Sequence, residues 1–136
     1  MVEMALIMPI MMSLMFGGVA FGMALSAHAT IGKSVRDAAR YLGGLPRAAA
    51  CSSWAIANAK NLAVFGKVNP GQPDPVLISG WKIDGGPNNN VKVNCSNPSI
   101  IVVSARAPFR LAMLDSVLFR GPITLSAQHE EERIGD

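Results

Sequence analysis

A lone carboxylate opens the chain's chemistry: Glu3 is the only charged side chain before Lys33, and it stands at the lip of the apolar run MVEMALIMPIMM. An ionisable group deep in hydrocarbon is costly, so a carboxylate there calls for a cationic partner. At the level of lipid headgroups it costs little and needs none. The other candidates for chemistry are scattered. His28 and His129 are isolated in sequence, and a ligand role would need convergent partners that the sequence does not supply. Ser52 and Ser53 beside Cys51 do not form a nucleophile motif such as GxSxG. GGPNNN lacks the lysine and the helix start of a phosphate-binding loop. The three glutamates at 130–132 have the charge to attract a cation, but such a run is more often a solvated tail. Trp54 and Trp81 fit core or edge aromatics better than a ligand cage. No catalytic residues, no metal ligands and no cofactor site are expected, and the chain does not read as an enzyme.

Two cysteines, Cys51 and Cys95, complete the inventory. Neither CxxC nor Cys/His spacing points to zinc. In an oxidising compartment such a pair most simply forms one disulfide; the alternative is two unrelated buried thiols. The 12 Lys and Arg all follow residue 32 and are dispersed singly. With no basic cluster and no interleaved aromatics, the net charge of +3 belongs to a solvated surface, and no nucleic-acid partner is expected.

The elements that must carry these residues follow from patterning. Residues 4–27 contain no charged side chain, although half of the whole chain is hydrophobic and its mean hydropathy is +0.31. About 20 apolar residues span a bilayer core, so this run crosses with some tilt. A cleaved signal peptide would have a shorter apolar region behind a basic N-terminus, neither of which is seen; SAHA (26–29) only faintly resembles a cleavage site. Within the run, Gly18 and Gly22 have the four-residue spacing that lets membrane helices approach closely, although ordinary glycine use gives the same pattern. Pro9 removes one helical hydrogen bond and is expected to kink or loosen the helix.

Beyond the run, Ile31, Val35, Ala38, Ala39 and Leu42 recur at helical spacing, with Lys33, Arg36, Asp37 and Arg40 on other faces. One helix over about 3–42 is expected, membrane-spanning first and amphipathic afterwards, with Gly43 as a left-handed terminator. LPRAAACSSWAIANAKNLAVFG predicts a second helix over about 46–65, closed by Gly66. GKVNPGQPDP is a loop. VLISGWKI (76–83) is β-leaning, DGGPNNN is turn chemistry, and VKVNC (91–95) alternates. SIIVVSARA suits a central strand and ITLSAQH (123–129) alternates again. Between the last two, Phe109, Met113, Val117 and Leu118 suggest a short helix. The fold class is α+β: a membrane-spanning stalk helix over 1–42 and a head over 43–136 with a second helix and a small, mainly antiparallel sheet.

VEMALIMPIMMSLMFGGVAFG, followed by SVRDAARYL and the terminal ITLSAQH, resembles the TadE-like pseudopilins of the tight-adherence (Flp, type IVb) pilus systems of bacteria. The resemblance implies a pilin-like head in the periplasm and a single span in the inner membrane. It implies a minor pseudopilin that helps initiate or assemble the fibre and is incorporated in the extracellular pilus. Its partners would be the lipid bilayer, other pilins and pseudopilins, and inner-membrane assembly proteins. Glu3 matches the glutamate that, in related pilins, pairs with the N-terminal amine of a neighbouring subunit. Related pilins are cleaved by a prepilin peptidase after a glycine ahead of the helix. No such glycine precedes Glu3, so that partner is implied only where a leader lies upstream. Charge counting gives the opposite orientation, because Lys33, Arg36, Arg40 and Arg47 follow the span and favour a cytoplasmic head. The competing function is an anchored binding module that scaffolds the assembly machine without being polymerised.

Overall fold

The computed structural model describes residues 2–71, 74–97, 99–110 and 121–132. Helix α1 (Val2–Gly43) is continuous for 42 residues. Pro9 lies inside it without ending it. A missing hydrogen bond near one end of so long a helix leaves the remaining ladder intact, so the expected loosening does not become a break. Two hydroxyls on its less packed part are satisfied within the helix. Ser13 Oγ donates to the Ile10 carbonyl at 2.8 Å, and Thr30 Oγ1 to that of Ser26 at 2.9 Å.

Gly43 does not terminate α1 in the left-handed conformation. Positive φ among the described residues is confined to Gly66, Gly80 and Gly86. Gly43 instead allows close approach: a Cβ there would lie 3.1 Å from Cγ of Glu131, the penultimate residue of a strand packed against the helix end. The sequence motif had the right residue for a different reason.

The second helix is two helices. α2 (Arg47–Ala50) ends at Cys51, and α3 (Ser53–Phe65) begins with Ser52 as its N-cap, in extended conformation. Ser52 Oγ donates to the Ala49 carbonyl at 2.6 Å and accepts from the Ala55 amide at 3.4 Å, so one hydroxyl closes the first helix and opens the next. Gly66 closes α3 at φ 72°, as glycine should, its amide donating to the Leu62 carbonyl.

Strands β1 (Asn90–Asn94), β2 (Ile100–Phe109) and β3 (Ile123–Glu132) form one antiparallel sheet in the order β1-β2-β3. The β-branched run is central, as its composition predicts. VLISGWKI is not a strand. It runs as irregular chain, with Trp81 almost fully buried and an isolated bridge from Asp84 to Asn90. Asn89 ties this loop: its Oδ1 accepts from the Lys82 amide at 2.8 Å and its Nδ2 donates to the Gly80 carbonyl at 2.9 Å. Side-chain amides thus supply the backbone partners that a ladder would otherwise give. The short helix suggested after Phe109 falls at 111–120, outside the described residues.

The core lies between the sheet and the two long helices. Ile31, Val35, Ala38, Ala39 and Leu42 of α1 are fully or almost fully buried, together with Ala55, Ala59, Ala63 and Val64 of α3. From the sheet, Ile101, Val103, Ala105 and Ala107 alternate inward along β2, with Val91 beside them. Alanines on both helices let their backbones come close. The architecture is α+β, with the second part of α1 serving as a core helix of the head.

Candidate functional site

Among the described residues, the large apolar side chains from Ile7 to Leu25 on α1 share one property. Each is more than half exposed, from Val19 at 52% to Met15 at 73%. They occupy every side of the helix, so no polar face is left for water. The segment within Ile7–Gly43 is long and apolar enough to cross a membrane, and it lies near the N-terminus. Burying this surface in lipid or against other helices removes it from water, whereas the head leaves it open.

Gly18 and Gly22 sit in the middle of this exposed stretch. An added Cβ at either would meet nothing within 4 Å. Neither glycine is used for packing within the chain, unlike Gly43, so any close approach they permit is to another molecule. Glu3 lies on the first turn of α1, but its side chain is outside the described residues. His28 is exposed on α1, just past the run read as membrane-spanning.

Cys51 and Cys95 form a disulfide with Cα atoms 6.2 Å apart, closing a 44-residue separation. Cys51 follows α2 and Cys95 follows β1, so the bond joins the helical side of the head to the sheet at element ends, and not from a helix to a strand as the pattern suggested. His129 is not isolated. The period of two along β3 puts it on the same face as Glu131, and their Nε2 and Oε2 are 3.1 Å apart. The glutamates at 130–132 belong to β3 and not to a free tail. This pairing was hidden in the sequence because the glutamate run reads as solvated until a strand register is imposed. Among the described residues no group of three or more His, Cys, Asp or Glu side chains is placed to hold a metal ion. Asp74 titrates below the ordinary aspartate range because Lys67 Nζ donates to it at 3.0 Å and the Gly71 amide at 2.7 Å. These contacts tie Asp74 to Lys67 and Gly71.

The candidate surface is therefore an exposed apolar helix with Glu3 on its first turn and two unpacked glycines in its middle. Residues 1–40 match the model of the TadE-like protein family. The TadE-like match ends within the last turn of α1, so it covers both the exposed stretch and the part buried in the head. It agrees with the resemblance carried by the N-terminal sequence. No curated protein and no solved structure matches the chain.

Proposed function

We propose that this protein is a membrane-anchored minor pseudopilin that helps initiate or assemble a bacterial type IVb (Flp/Tad) pilus. The observation that carries the reading is the double use of α1. One helix, most of it within the TadE-like match, is bare and apolar at its N-terminal end and is the core of a folded head at its C-terminal end. A subunit built this way is held in the inner membrane by its bare half and passes into a helical bundle of similar subunits by exchanging lipid for helix contacts. Its head lies in the periplasm, where the disulfide is stable. Its partners are the bilayer, other pilins and pseudopilins and the inner-membrane assembly proteins, with a prepilin peptidase where a leader precedes Glu3. It has no catalytic role and needs no cofactor.

In this reading Glu3 pairs with a neighbouring subunit's N-terminal amine in a low-dielectric environment. Losing such a charge-assisted contact costs on the order of 1–3 kcal/mol, which is about 5- to 150-fold in association. The test is pilus formation and co-purification of other pilins in Glu3→Ala and Glu3→Gln strains, with the amount of each variant measured. Loss of piliation and of partner recovery at normal abundance is the expected result. Normal piliation in both strains overturns the Glu3 contact. Normal partner recovery from the membrane with none in sheared fibres, for the unmodified chain, favours a scaffold that is not polymerised.

A further inference from the structure

The head has two ends along α1, and they differ. At the far end, Gly43 meets Glu131, the disulfide joins Cys51 to Cys95, and β3 finishes in three glutamates. At the near end, the 77–80 loop, the end of β2 and the start of β3 line a groove shared with Met23, Ala27 and Thr30 of α1. The run read as membrane-spanning ends at residue 27, and Met23 lies about 6 Å before that along a helix rising about 1.5 Å per residue. The lower rim of the head is therefore level with the last turn of the apolar run.

The rim has the chemistry for that place. Among the described residues outside α1, the exposed large apolar side chains are Trp54, Leu77 and Ile123; Leu77 lines this groove, and Ile123 lies between Pro122 and Thr124, which also line it. Lys82 and Arg110 line the same groove and are exposed, and no Asp or Glu lines it among the described residues. Apolar side chains beside an exposed lysine, at the end away from the glutamates, match the boundary of a phospholipid layer with anionic headgroups.

We propose that the near rim of the head rests on the membrane surface, with Leu77 and Ile123 at the acyl boundary and Lys82 among the headgroup phosphates. The head is thereby held upright on its helix while in the bilayer, and it must leave the lipid surface when the subunit is extracted. The inference rests on α1 crossing the membrane.

The test uses the full chain in nanodiscs of phosphatidylethanolamine and phosphatidylglycerol containing a headgroup-chelated gadolinium lipid, read by amide NMR relaxation. The expected result is strong broadening of the Leu77, Lys82 and Ile123 amides, comparable to Thr30, with the Cys51, Cys95 and Glu130 amides unaffected. Broadening of Thr30 without broadening of Leu77 and Ile123 overturns the proposal while leaving the span intact. Absence of broadening at Thr30 as well shows that the spanning reading itself has failed, and the proposal with it. A Lys82→Gln variant should lower the docking equilibrium constant about fivefold, as one cation lost from an anionic surface does, and thereby weaken broadening at Ile123. Unchanged broadening in that variant and in discs of phosphatidylcholine alone overturns the role of the lysine.

Discussion

Residues 7–27 and 31–42 of α1 lie on one unbroken helix, yet they live in different surroundings. In the first stretch Met8, Leu14, Met15 and Phe21 are all exposed; in the second Ile31, Val35 and Leu42 are shielded from solvent. Both carry large apolar side chains, but the second is less apolar and holds four charged residues. What separates them is the opposite face: Lys33, Arg36, Asp37 and Arg40 give the second stretch an exposed polar side, while the first has none. A helix with one polar face packs on a core in water, and a helix with none needs another solvent. The join falls near Thr30, where the last uncharged turn meets the lower edge of the head.

The sharpest break of this comparison is a matched pair of leucines. Leu42→Ala should destabilise the head by about 2–5 kcal/mol, because it opens a cavity in a closed core. Leu14→Ala should leave head stability within about 0.5 kcal/mol, since that side chain touches no part of the core. Thermal unfolding of both variants in the same detergent checks this, and equal losses would remove the division between the two stretches. The next effect is the disulfide. Replacing both cysteines by alanine should cost the head about 2–4 kcal/mol through the freed unfolded chain, with no change in membrane retention. Denaturant unfolding and membrane fractionation together read the two halves separately. The smallest effect belongs to the glycines. Gly18→Leu and Gly22→Leu place side chains in open space, so the head should melt as before. Helix association in a membrane reporter assay should weaken by about 1–2 kcal/mol if these glycines face a neighbouring helix. A lowered melting point in either variant would show that they pack within the chain instead.

The part of the fold governed by periodicity was legible in the sequence. Ile31, Val35, Ala38, Ala39 and Leu42 form the buried face that their spacing predicts, and the β-branched run at 100–103 lies in the central strand. What escaped was decided by side-chain hydrogen bonds and tertiary neighbours. Ser52 divides a helix that propensity alone would continue. Asn89 holds VLISGWKI as a loop although its residues favour strands, because Trp81 must turn into the core there. The glutamates at 130–132 look like a tail until β2 recruits them, with Glu131 opposite Ile101. Of the candidate site, the exposed helix and the cysteine pair could be read directly. The pairing of His129 with Glu131 needed a strand register, and the level of the rim needed the folded head.

The central claim is that the first stretch of α1 is covered by lipid or by other helices in the working protein. Methionine oxidation measures this directly, because Met8, Met11, Met12, Met15 and Met23 are all more than half exposed in the isolated chain. The full chain in native membrane vesicles would be treated with periodate, a charged oxidant that stays in water, and sulfoxide at each methionine quantified by mass spectrometry. The account predicts that Met8, Met11, Met12 and Met15 resist oxidation in vesicles and react readily once the membrane is dissolved and the chain unfolded. Oxidation of those four in intact vesicles at the rate of a free methionine peptide would contradict it.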